Sequence, residues 1–162
     1  LLENDWEEIK KDLNKNPIEG VDGSCSNNVI SDGLLKYGVS KDSVEIWGSG
    51  KPMREFLWSE DMADACVFLL ENRNFKDTFE SENTEIRNTH INIGTGVDIS
   101  IKDLANLIKK EVGYKGSFIF NTSKPDGTMK KLTDVSKLNC LGWKHKVSLE
   151  KGVEKMYSWY LS

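Results

Sequence analysis

The chain has 162 residues, 38% of them hydrophobic and 30% charged, with a formal net charge of -4. That composition describes a globular domain with a core, and the small acidic excess excludes the broad basic field that gathers nucleic acid. No apolar run approaches the roughly 18 residues of a membrane helix, and no basic-then-apolar start marks a signal peptide. Cys25, Cys66 and Cys140 are odd in number and form no CxxC pair, while His90 and His145 lack metal-ligand spacing. These features predict reduced thiols in a cytoplasmic protein without a bound metal. The start at Leu1-Leu2-Glu3, without Met, predicts an internal piece of a longer polypeptide.

Leu2, Trp6, Ile9 and Leu13 make one narrow apolar stripe, predicting a polar helix that Pro17, Gly20 and Gly23 end. Residues 24–40 are Ser/Asn-rich, with a short helix expected around Leu34, Leu35 and Tyr37 and a stop at Gly38. Residues 1–42 thus read as a helical leader, and residues 43–162 as the α/β domain proper. Val44 to Trp47 alternates like a strand and ends in the turn Gly48-Ser49-Gly50-Lys51-Pro52. Arg54 to Trp58 is a second extended segment, and Ser59 is the expected N-cap of a helix burying Met62, Ala65, Cys66, Leu69 and Leu70. Residues 72–88 read as a surface excursion and His90 to Ile93 as a short strand. Ser100 and Asp103 form a capping box before a helix that Gly113 stops. Ser117 to Phe120 is a strand, Lys124-Pro125-Asp126-Gly127 a turn, Val135 to Leu141 a short helix, and Ser148 the cap of a last helix. Strands alternating with helices predict an α/β unit.

Several chemistries are excluded. Gly94-Thr95-Gly96 follows the expected His90–Ile93 strand, but Ile99 stands where a dinucleotide turn needs its third glycine, so the pair reads as a tight turn. Gly48-Ser49-Gly50-Lys51 lacks the first glycine and the Ser/Thr of a P-loop. Tyr37 precedes Lys41 by four, but Gly38 breaks the helix that would align them, and no nucleophile-His-acid arrangement stands out. No catalytic, cofactor-binding or metal-binding residue is therefore expected. What remains is cationic and aromatic: Arg54 at a strand start, Lys124, Lys130 and Lys131 around the Pro-Asp-Gly turn, Asp126 as an acceptor for a diol, and Trp47 as a flat apolar face. A guanidinium suits phosphate through two parallel charge-assisted hydrogen bonds. Taken singly, each also has an ordinary reading as a solvated charge or a core aromatic.

Their linear order is more specific. Trp47-Gly48-Ser49-Gly50-Lys51-Pro52-Met53-Arg54-Glu55-Phe56 followed by Glu60-Asp61-Met62-Ala63-Asp64-Ala65 resembles the extended short-chain dehydrogenase/reductase signature. His90-Ile91-Asn92-Ile93-Gly94-Thr95-Gly96, Ser123-Lys124-Pro125-Asp126-Gly127-Thr128 and Leu141-Gly142-Trp143-Lys144 are similar to the GDP-L-fucose synthase family within it. The resemblance covers residues 43–161. It implies the small substrate-binding domain of such an enzyme, lacking most of the Rossmann domain, with residues 1–42 resembling an insertion found in some members. It implies a whole enzyme that epimerises GDP-4-keto-6-deoxy-D-mannose at C3 and C5 and reduces C4 with NADPH, as a homodimer. Carried over, Arg54 matches a diphosphate-contacting arginine, Trp47 a substrate-contacting tryptophan, Asp126 and Lys131 a loop closing over the nucleotide, and Lys124 a neighbouring cation. The family's cofactor turn, Tyr-x-x-x-Lys and acid/base Cys and His have no counterpart, so this segment alone is expected to be inactive and to hold no NADPH. The residues themselves leave open another nucleotide-sugar epimerase, reductase or dehydratase, or a stand-alone binding module.

Overall fold

The computed structural model describes residues 5–79 and 85–162. The chain divides into two compact units, Leu1–Lys51 with Val112–Gly127, and Pro52–Glu111 with Thr128–Ser162.

In the first unit, α1 (Trp6–Lys15) starts at Asp5, whose carboxylate accepts the N–H groups of Glu7 and Glu8. Leu13 of the predicted stripe is buried, while Leu2 lies outside the described residues. Helix α2 (Asn27–Lys36) is longer than the sequence suggested, because Ser26 caps it and Ile30 is fully buried. Strands β1 (Ser43–Trp47) and β4 (Ser117–Asn121), both expected, pair in parallel with Val44 opposite Phe118 and Trp47 opposite Asn121.

The second unit is built on a three-stranded sheet in the order β3-β2-β5. The central strand β2 (Met53–Glu55) lies antiparallel to β3 (Asp98–Ser100) and parallel to β5 (Lys130–Lys131). Around it stand α3 (Ser59–Asn72), a 3-10 turn (Phe75–Thr78), α4 (Ile101–Glu111), α5 (Ser136–Cys140) and α6 (Leu149–Leu161). Ala65, Leu138 and Trp143 form the core, with Leu57, Phe68, Leu69, Ile91 and Ile93 packed on it. The cap expected at α6 holds, and at α4 the Ser100 half of the capping box forms while the Asp103 carboxylate accepts the Ser100 hydroxyl at 2.6 Å. The Asp103 N–H donates to Ser100 Oγ at 3.0 Å, and the Lys151 N–H to Ser148 Oγ at 3.3 Å.

Three expectations change. Ser59 is the first residue of α3 rather than its cap; Trp58 occupies the cap and donates its indole N–H to Glu60 at 2.8 Å. The face of α3 is also rotated: Met62 and Leu70 are 41% and 84% exposed and Cys66 is exposed, while Asp61 and Ala65 are buried. Six of its 14 residues are polar or charged, Asp61 among them, and hydrophobic periodicity turns those toward solvent. Asp61 instead sets the buried face, accepting the N–H groups of Lys146 and Val147 at 3.0 and 2.9 Å. Finally, His90 to Ile93 forms no strand. The carbonyls of Asn88 and His90 accept from the Lys137 ammonium, and Asn92 donates its side-chain amide to the Asp134 carbonyl, so these groups end on side chains instead of a ladder.

Among the described residues, no helix is long and apolar enough to cross a membrane, and no His, Cys, Asp and Glu cluster is arranged to hold a metal.

Candidate functional site

Trp47, Lys124 and Asp126 belong to the first unit, where they meet at the ends of β1 and β4. Trp47 closes β1 and is 69% exposed. The Lys124 ammonium lies 5.0 Å from the centre of its ring, a cation–π contact that leaves indole surface open. The next residue, Gly48, has φ of +84°, and a Cβ there would collide with the Asp126 carboxylate. Only glycine therefore lets the turn close on that acid. Asp126 accepts the Ser49 N–H at 2.5 Å through Oδ1 and the Ser49 hydroxyl at 2.7 Å through Oδ2. The backbone bond from Ser49, then its hydroxyl, hold the Asp126 carboxyl below its ordinary range, with Lys51 adding to the effect against the opposing pull of desolvation. The turn thus keeps an ionised acid beside an aromatic face and an ammonium.

Arg54 and Lys131 belong to the second unit and are register partners across β2 and β5. Neighbouring strands lie about 4.8 Å apart, so the two side chains leave the same face of the sheet side by side. One guanidinium nitrogen, Nη1, donates to the carbonyls of Met53 at 2.6 Å and Thr128 at 2.8 Å. Among the described residues, Nη2 and Nε make no hydrogen bond, and neither Arg54 nor Lys131 has a carboxylate partner. Lys130 differs, reaching Asp98 at 3.6 Å on the opposite face. Two adjacent cations with free donors suit a ligand with several anionic oxygens.

Glu55, next to Arg54, was not singled out from sequence. Its Oε1 accepts the N–H groups of Thr95 and Gly96, each at 2.6 Å, and its Oε2 accepts the Thr133 N–H at 3.1 Å. Burial raises its carboxyl pKa, but the bonds from the Thr133 hydroxyl and the Gly96, Thr133 and Thr95 amides outweigh that and leave it lowered. The available signal was the acid in Arg54-Glu55-Phe56, an acidic residue placed inside a short strand.

This carboxylate also tests the Gly94-Thr95-Gly96 turn as a cofactor cradle. A pyrophosphate at such a turn needs free amides and an approach clear of negative charge. Here the amides are taken by Glu55, a Cβ on Gly94 would lie 2.6 Å from Glu55 Oε1, and the turn leads into β3. The turn does not fit a dinucleotide.

Two hollows lie elsewhere. One of about 300 Å³ is lined by Trp6, Ile9, Leu34, Leu35 and Val39 in the first unit, and one of about 360 Å³ by Asp64, Phe68, Trp143 and Lys146 in the second. Neither includes a predicted site residue.

Comparison with known proteins gives these features a context. Residues 19–94 match the model of the NAD dependent epimerase/dehydratase family. The chain is 51% identical over 118 residues to GDP-L-fucose synthase of Escherichia coli, covering 73% of this chain and 36% of that protein. It is 49% identical over 120 residues to putative GDP-L-fucose synthase 2 of Arabidopsis thaliana, covering 74% and 33%. Among solved structures, a GDP-6-OMe-4-keto-L-xylo-heptose reductase from Campylobacter jejuni matches with 44% identity and a TM-score of 0.84, over 98% of this chain and 42% of that one. A GDP-mannoheptose C4 reductase from the same organism, solved with NADP bound, matches with 41% identity and a TM-score of 0.76, over 96% and 41%. A GDP-L-fucose synthetase from Naegleria fowleri matches with 26% identity and a TM-score of 0.60, over 74% and 33%. The chain therefore spans about a third of the length of the curated relatives it matches. Over residues 19–94 this chain is similar to the NAD dependent epimerase/dehydratase family, and by sequence it is a homologue of part of the GDP-L-fucose synthases and GDP-sugar reductases.

Proposed function

We propose that this chain is the GDP-sugar-binding part of an NADP-dependent epimerase and reductase of the GDP-L-fucose synthase type. The observation that carries the reading is the Arg54–Lys131 pair, two unneutralised cations in register on one sheet face. Arg54 and Lys131 serve the diphosphate. Trp47 lies against the base or sugar, Lys124 adds positive charge beside it, and Asp126 accepts from the ribose diol with the lone pairs that Ser49 leaves. All five fall within residues 43–162, and residues 1–42 supply none. The nicotinamide cofactor and the acid and base come from a Rossmann domain elsewhere in the whole enzyme, which works as a homodimer in the cytoplasm. Remote binding energy at the nucleotide positions the reacting sugar there.

A second reading concerns the sugar. The Campylobacter GDP-heptose reductases align with 96–98% of this chain, whereas the curated fucose synthases named above align over 118–120 residues and the Naegleria structure covers 74%. Nearly the whole chain, leader included, aligns with those heptose enzymes. This favours a GDP-heptose as substrate of the whole enzyme over a GDP-6-deoxyhexose.

Calorimetry with GDP, UDP and dTDP tests the binding role directly. Arg54→Ala is expected to cost about 1.5–3 kcal/mol of GDP affinity, the worth of a charge-assisted contact. Equal binding of all three nucleotides, or an unchanged affinity in the variant, counts against the assignment. Turnover of GDP-4-keto-heptose against GDP-4-keto-6-deoxy-D-mannose by the whole enzyme separates the two sugars.

A further inference from the structure

We infer that Glu55 is a positioning residue that holds Lys131 in register beside Arg54; the inference rests on the phosphate-binding reading above and extends it. Arg54 and Lys131 face one side of the sheet, and like charges directly opposite on neighbouring strands repel. Strand β5 is only two residues long and cannot hold such a pair by its own ladder. Glu55 projects from the other face of β2 and fastens both neighbours of that strand. Its Oε2 takes the N–H of Thr133, two residues beyond Lys131, at 3.1 Å. Its Oε1 takes the amides of Thr95 and Gly96, at 2.6 Å each, ahead of β3. Lys130, on the Glu55 side, has its charge offset by Asp98 at 3.6 Å, unlike Arg54 and Lys131. One carboxylate below the sheet therefore ties down the strands that carry an unbalanced dication above it. The dication is preorganised for an anion with adjacent phosphoryl groups.

The test uses this chain with GDP as the probe, and Glu55→Gln, which keeps size and removes the charge and one acceptor. We expect amide exchange at Lys131 and Thr133 to quicken at least about tenfold while α4 and α6 are unchanged, and GDP affinity to fall about tenfold. In a Lys131→Ala background the same Glu55→Gln change should alter affinity less than about twofold, because its effect passes through Lys131. An equal loss in both backgrounds, or unaltered exchange at Thr133, overturns the inference. If Glu55→Gln does not fold, acid titration of the unaltered chain decides: the Thr95, Gly96 and Thr133 amide protons must shift together with the Glu55 carboxyl, and separate titrations overturn it. If Arg54→Ala leaves GDP binding unchanged, the phosphate reading falls, while the exchange and titration results still judge the clamp.

Discussion

Asp126 locks the turn after β1 by accepting from Ser49 twice, through the backbone N–H at 2.5 Å and the hydroxyl at 2.7 Å. Its carboxyl is held below the ordinary 3.8 chiefly by those two bonds. A depressed folded-state pKa contributes stability that is present above the unfolded value and lost as pH falls through the folded one. Asp126→Asn should therefore lower the unfolding midpoint at neutral pH and narrow its difference from the unaltered chain in acid. Thermal melts at pH 7 and pH 3 check this; a constant difference between the two sequences contradicts it.

Glu55 carries the same sign with more partners. Its contribution is complete above its ordinary 4.5 and disappears as pH drops below that. Removing its charge leaves amide donors without a full complement of acceptors, and Glu55→Gln should cost about 1.5–3 kcal/mol at pH 7. Urea titrations across pH 3–7 should show a shallower acid dependence in the variant. Parallel curves would argue against Glu55 as their source.

Gly50 is required for two separate reasons. Its φ is +74°, and a Cβ there would collide with the Phe120 ring. Gly50→Ala should destabilise the first unit by about 1–3 kcal/mol, from the left-handed backbone and the overpacking together. Hydrogen exchange at β1 and β4 reads this locally, and protection equal to that of the unaltered chain would show that the turn can relax.

Leu138 is fully buried in the core of the second unit, against Ala65 and Trp143. Leu138→Ala removes that volume and should cost about 2–5 kcal/mol, depending on how far the site collapses. Chemical denaturation followed by far-ultraviolet circular dichroism measures it. A loss under about 1 kcal/mol would mean that the cluster is not a true core.

Much of this molecule was written in local pattern. Ser100 with Asp103, Ser148, and the alternation in Val44 to Trp47 are interactions over a few residues, so the caps of α4 and α6 and the strand β1 followed from neighbours alone. The order of Arg54, Asp126 and Lys131 in recognisable motifs likewise resembles that of a nucleotide-sugar enzyme. Tertiary structure decided what depends on residues distant in sequence. The face of α3 was set by Asp61 meeting the backbone of Lys146 and Val147, because periodicity turns a charged side chain toward solvent unless distant donors satisfy it. The expected His90–Ile93 strand gave way to the Lys137 ammonium, which donates to the carbonyls of Asn88 and His90, and to the Asp134 carbonyl, which accepts from the Asn92 side-chain amide. Glu55 became visible only when Thr95, Gly96 and Thr133 closed around it. A hydrogen bond spanning some 40 to 80 positions leaves no period in a sequence, since either end is an ordinary residue until the fold brings the other to it.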